Sequence, residues 1–201
     1  VMFSSKEYWE TRYKSGGNSG VGSYTKFAEF KASFVNLLIK KYNIESIIEF
    51  GVGDGNQLSK LEVNKYVGLD VSETAIASCT DLFENDSSKK FYMANRAMSL
   101  EKADMSLSMD VIYHLVEDEI FSAYMNDLFN ASKNFICIYS SNTNSQLGET
   151  NTKHVRHRRF SDWIERNRPF SRLVYFKKNV FPYNGDYKTT SFSDFYLYSV
   201  K

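Results

Sequence analysis

Between residues 46 and 56 the chain reads Ser-Ile-Ile-Glu-Phe-Gly-Val-Gly-Asp-Gly-Asn, and from 65 to 72 it reads Lys-Tyr-Val-Gly-Leu-Asp-Val-Ser. A strand-length apolar run, a glycine-rich turn, a helix start and a second strand ending in an acid leave few folds open. Gly51, Gly53 and Gly55 let the backbone turn sharply and approach a ligand with no Cβ in the way. Asp70 follows Gly51 by 19 positions, which is where a carboxylate meets the hydroxyls of a ribose in a βαβ nucleotide site. The pattern predicts a nucleoside pocket.

The spacing narrows the nucleoside. A dinucleotide fingerprint, G-x-G-x-x-G, calls for glycine at position 56, which is Asn56, whereas the third glycine is Gly55. Glu49, two residues before the first glycine, would repel a pyrophosphate in a poorly solvated pocket but would welcome an amino group and a sulfonium. Glu49 to Gly55 resembles the E-x-G-x-G-x-G motif of the class I S-adenosylmethionine-dependent methyltransferases. The resemblance implies that Glu49, Gly51, Gly53 and Gly55 cradle the methionine part of S-adenosylmethionine, and of its product S-adenosylhomocysteine. It further implies that Asp70 holds the ribose, that Val71 packs on adenine, that Asn95 stands where an Asp usually accepts from the adenine amino group, and that Met109 is among the cofactor-binding residues.

Periodicity agrees with this family. An aromatic helix at 6–13 leads into a loop, 15–23, with four glycines, expected to act as a lid. Phe27, Phe30, Phe34, Leu37 and Leu38 recur at helical spacing up to about Tyr42. Strands are predicted at 46–50, 65–70, 90–94, 104–111 and 134–141, alternating with helices at 56–61, 72–83 and from 117. A helix at 160–167 and strands at 172–177 and 192–200, joined through Asn184-Gly185-Asp186, complete the chain. The expected fold is α/β: a Rossmann-like doubly wound sheet of mainly parallel strands with a C-terminal antiparallel hairpin and helices on both faces. It reads as one domain, 1–201, with N-terminal helices and lid (1–45), a cofactor-binding core (46–141), and a substrate loop with closing hairpin (142–201).

The composition excludes other classes. The apolar runs are strand-sized, far short of the ~20 residues that cross a bilayer, and residues 1–12 do not read as a signal peptide. Cys79 and Cys137 are too few for a disulfide framework and read as reduced core residues, so a cytoplasmic location is expected. The net charge of +1 hides nine basic residues against two acidic ones between 151 and 180. That stretch is either a solvated face or the seat of an acidic partner.

All three histidines, His114, His154 and His157, fall in segments following strands four and five, on the rim where such sheets bind ligands. After strand four, Asp110-Val111-Ile112-Tyr113-His114 lacks the (Asp/Asn)-Pro-Pro-aromatic motif of base-amino methyltransferases, and no Pro-Cys nucleophile is present. A smaller acceptor follows, methylated on oxygen or nitrogen. His114 is the candidate base, with Asp110 orienting it or touching the cofactor, and His157 a further candidate. Tyr24, Tyr113, His154, Arg156 and Arg158 are candidate acceptor-binding residues, because guanidinium groups grip carboxylate or phosphate in pairs. The expected acceptor is an acidic small molecule or glycan precursor, and the protein a monomer or homodimer without a metal. The alternatives left open are an RNA-directed methyltransferase using the basic tail, a non-catalytic S-adenosylmethionine-binding protein, and a nicotinamide oxidoreductase, the last weakened by Asn56 and Glu49.

Overall fold

A computed structural model describes residues 3–147 and 152–200. Seven strands form one sheet: β1 (Ser46–Phe50), β2 (Lys65–Asp70), β3 (Lys89–Met93), β4 (Ala103–Met109), β5 (Ser132–Ser140), β6 (Arg172–Lys177) and β7 (Asp194–Ser199). Their order is β3-β2-β1-β4-β5-β7-β6. The pairs β2–β3, β1–β2, β1–β4 and β4–β5 are parallel, and β7 runs antiparallel to both β5 and β6. Five helices accompany the sheet among the described residues: α1 (Ser5–Lys14), α2 (Thr25–Tyr42), α3 (Glu73–Leu82), α4 (Asp118–Asn130) and α5 (Phe160–Asn167). None is long and apolar enough to cross a membrane.

Strand alternation divides the core in two. Ile47, Met105, Leu107, Cys137, Phe195 and Leu197 meet α2 and α3 on one face, while Ile48, Phe50, Ile136, Ile138 and Tyr198 meet α4 and α5 on the other. Each face is apolar, as a sheet covered on both sides requires. Ser72 caps α3 by accepting from the Ala75 amide at 3.1 Å.

Three expectations change. Residues 56–61 form only a 3-10 turn at Leu58–Lys60. Leu37 is 50% exposed, because the buried stripe of α2 runs through Phe27, Ala28, Lys31, Phe34, Val35 and Leu38. The last two strands pair as predicted, but 16 residues separate Lys177 from Asp194. Asn184-Gly185-Asp186 is therefore one bend inside a long excursion over the rim, with Gly185 at φ 105°.

Candidate active site

The carboxyl ends of β1, β2 and β4 open into a cavity of about 270 Å³ lined by the glycine turn, Glu49, Asp70, Val71, Ala94 and Met109, and covered by Trp9 and Tyr13 of α1. Clefts at the carboxyl ends of strands are where open α/β sheets hold ligands. The turn that shapes it leaves no room for side chains. Gly51 lies at φ 87°, and a Cβ there would come within 2.5 Å of Val111 Cγ2; at Gly53, φ 62°, it would come within 2.3 Å of Ser19 Oγ. Gly55 serves the packing instead, since it faces Cys79, Leu82 and Phe83 and its missing side chain lets α3 close against the turn.

Two carboxyl groups stand buried in this cavity. Asp70 accepts from the Gly53 amide (2.9 Å) and the Ser72 amide (3.0 Å), and desolvation raises its pKa. Glu49 accepts from the Tyr66 hydroxyl, and burial pushes it up to about 7 despite Tyr66 and Lys31 pulling the other way. Two buried acids beside the glycine turn suit a ligand bringing positive charge. The ammonium and sulfonium of S-adenosylmethionine fit that requirement; a pyrophosphate does not.

Loop 15–23 closes over the turn through Asp54, the acid between the second and third glycines. The Ser19 amide donates to Asp54 Oδ2 at 2.8 Å, and Ser19 Oγ accepts from the Asp54 amide at 3.0 Å. Tyr24 also donates to Asp54 Oδ2, at 2.8 Å. Tyr24, expected to touch the acceptor, instead ties the end of this loop to the glycine turn. Asn95 is likewise displaced, because β3 ends at Met93 and Ala94 takes the lining position, leaving Asn95 exposed.

A second cavity, about 500 Å³, shares Trp9, Ser19, Asp110 and His114 with the first. Asp110 stands at the junction. Its backbone has φ 58°, its Oδ2 accepts from Lys31 Nζ at 2.9 Å, and its Oδ1 accepts from the hydroxyls of Tyr113 and Ser193, both at 3.0 Å. Lys31 is 1% exposed inside an apolar helix face and lines the first cavity. Sequence reading misses it; a charge within an apolar stripe is the only signal. The His114 ring lies on both cavities, with Nδ1 2.8 Å from the His154 carbonyl. A carbonyl only accepts, so Nδ1 carries the hydrogen and Nε2 keeps its lone pair. Desolvation lowers His114 to about 4, which holds the ring neutral near pH 7.

The remaining basic-loop candidates are engaged within the protein. His157 is 2% exposed, with Nδ1 2.6 Å from Ser141 Oγ and Nε2 3.3 Å from the Leu147 carbonyl, so neither nitrogen is left for proton transfer. Arg156 pairs with Asp118 (3.0 Å) and donates to the Val116 carbonyl. Arg158 pairs with Asp118 (2.9 Å) and donates to the carbonyls of Leu115 and Val116. The guanidinium groups expected to grip an acceptor instead fasten this loop to the start of α4. His154 does line the second cavity, stacked on Tyr8 at 4.5 Å.

The fold is that of the class I S-adenosylmethionine-dependent methyltransferases. Among solved structures it is similar to N-methyltransferase NodS from Bradyrhizobium japonicum WM9 in complex with S-adenosyl-L-homocysteine, with a TM-score of 0.71, 11% identity and 97% of each chain covered. It is similar also to magnesium protoporphyrin IX methyltransferase from Synechocystis PCC 6803 with bound SAM, with a TM-score of 0.65, 14% identity, and 99% of this chain and 98% of that one covered. The small RNA methyltransferase HEN1 matches 88% of this chain with 26% of its own, at a TM-score of 0.65 and 12% identity. At such identities the likeness carries the fold, and acceptors as different as a porphyrin and an RNA share it. No protein-family model and no curated protein matches the chain.

Proposed function

We propose that the protein transfers a methyl group from S-adenosylmethionine to an oxygen or nitrogen of an acidic small molecule. The observation that carries this reading is the meeting of the two cavities at Asp110 and His114, one lined by two buried acids and the other open for an acceptor. Glu49 and the glycine turn would hold the amino acid part of the cofactor, Asp70 the ribose, and Val71 the base. Bound there, the cofactor supplies a methyl group on positively charged sulfur. Trp9, Tyr13 and the docked loop cover that chamber and keep water from it. His114 Nε2 takes the proton of the acceptor hydroxyl as oxygen attacks. The His154 carbonyl fixes its tautomer and supports its basicity, and burial keeps the ring unprotonated near pH 7. Asp110, immobilised by three donors, orients the junction.

The test is calorimetric titration with S-adenosylhomocysteine and S-adenosylmethionine, repeated on Asp70→Ala. Binding of both by the wild type and its loss in the variant is the expected result; absence of binding by the wild type refutes the reading. With an acceptor in hand, His114→Gln should lower kcat by roughly 10²- to 10⁴-fold, with cofactor affinity unchanged.

A further inference from the structure

The second cavity carries information about the acceptor that the basic loop does not. Its walls are rings: Tyr8 stacked on His154 at 4.5 Å and 11°, and Phe192 meeting Tyr113 edge-on at 4.9 Å and Tyr183 at 5.6 Å. Such walls pack against a ring, either the face of an aromatic or the C–H face of a sugar. Two cations line the same space from opposite segments, Arg12 of α1 and Lys188 of the 178–193 excursion. The Arg12 guanidinium lies 5.6 Å above the Trp9 ring, and its Nε donates to the Asn18 carbonyl at 2.6 Å, so it is positioned without being neutralised. Among the described residues, no carboxylate forms an ion pair with either cation. Among the described residues the one acid in the lining is Asp110, already matched by Lys31. Arg12 and Lys188 against one matched acid therefore give the described lining a net positive charge.

We infer that the acceptor is a ring-bearing anion, its ring held among Tyr8, His154, Phe192 and Tyr183 and its carboxylate or phosphate drawn to Arg12 and Lys188. This rests on the methyltransferase reading for the identity of the reaction, but the anion cavity is testable alone. An aryl acid and a sugar acid share the chemistry, and the probes separate them.

Ligand-detected NMR titrations on the S-adenosylhomocysteine-loaded protein would compare 4-hydroxybenzoate with 4-hydroxybenzyl alcohol, and glucuronate with glucose. The expected result is that the acid of at least one pair binds fivefold or more tightly than its neutral partner. That preference should vanish in Arg12→Gln/Lys188→Gln and shrink in Lys188→Gln alone, the single substitution leaving S-adenosylhomocysteine affinity within twofold. The pair showing the preference names the ring class. Equal binding within both pairs, no binding by any probe, or a preference surviving the double substitution overturns the inference. If the double variant does not fold, Lys188→Gln alone, at an exposed position, must reduce the preference. Should S-adenosylhomocysteine fail to bind the wild type, the reaction reading falls, and the same titrations on the ligand-free protein still decide whether the cavity selects anions.

Discussion

Asp110 holds a backbone conformation that costs a non-glycine residue about 1–3 kcal/mol, and it keeps that conformation because four partners fix it. Its amide donates to the Tyr139 carbonyl at 2.8 Å, while Lys31, Tyr113 and Ser193 hold the carboxylate. Removing Lys31 would leave a largely buried carboxylate short of its cation. Lys31→Met should therefore destabilise by roughly 3–5 kcal/mol, towards the lower end because the Asp110 side chain is 16% exposed. Lys31→Met/Asp110→Asn should recover part of the loss; urea midpoints for the double-mutant cycle give the coupling. Glu49 makes a separate prediction. With its folded pKa at about 7, it is mostly protonated at pH 6 in the empty protein, and an incoming ammonium favours the ionised form. Binding of S-adenosylhomocysteine at pH 6 should release a proton, seen as a dependence of the calorimetric enthalpy on buffer ionisation heat and reduced in Glu49→Gln. Glu49 and Asp70 are legible in the sequence because one short βαβ segment carries both. Lys31 is not, since its partner lies 79 residues away and only the tertiary fold brings them together.

At the scale of elements, α1 and the loop after it are strapped across the cofactor chamber at three points. Ser5 donates its amide to Glu117 Oε1 at 2.9 Å, Glu10 accepts from the hydroxyls of Ser72 and Thr74 at the start of α3, and Ser19 exchanges bonds with Asp54. The hydroxyl bonds and the helix start together lower the Glu10 pKa to about 2. Ser19→Ala removes one of the two bonds to Asp54 and the contact with the Tyr13 hydroxyl. At about 0.5–1.5 kcal/mol per bond, S-adenosylhomocysteine should dissociate roughly 2- to 10-fold faster in stopped-flow measurements, with the unfolding midpoint nearly unchanged. Glycine content marks this loop as a connector able to close, yet nothing local names Asp54 as its anchor. The 178–193 excursion escapes sequence reading for a related reason. Turn residues announce where a chain reverses, not what the reversed segment packs against, and Tyr183, Lys188 and Phe192 become visible as cavity walls only in the assembled sheet.

For the whole molecule, burial sets how stability follows pH. A neutral His114 with a folded pKa of about 4 against an unfolded 6.5 leaves the unfolded chain binding more protons between those values. Its contribution is fully present above pH 6.5 and is lost as pH falls through 4. Glu49 works in the opposite sense: its folded pKa is raised from 4.5 to about 7, so its contribution diminishes as pH rises across that window. The difference in unfolding free energy between wild type and His114→Gln should grow with pH from about 4 to 6.5 and then level off. Its span is up to about 3 kcal/mol, less to the extent that water fills the cavities His114 faces. The parallel strands, the closing hairpin and the helices on both faces are readable from alternation and period; the order of the strands and the pairing of buried charges across the layers are not. The two cysteine sulfurs mark two depths of the same molecule. Cys79 sits beneath the glycine turn, its thiol 3.3 Å from the Gly53 carbonyl and its pKa pushed up to about 12, whereas Cys137 lies in the central strand β5, between β4 and β7. A thiol reagent can reach the first when α3 parts from the turn, and the second only when the sheet itself comes apart. Timed alkylation of the unmodified chain therefore works as a pair of internal clocks, one for local breathing at the ligand chamber and one for global unfolding.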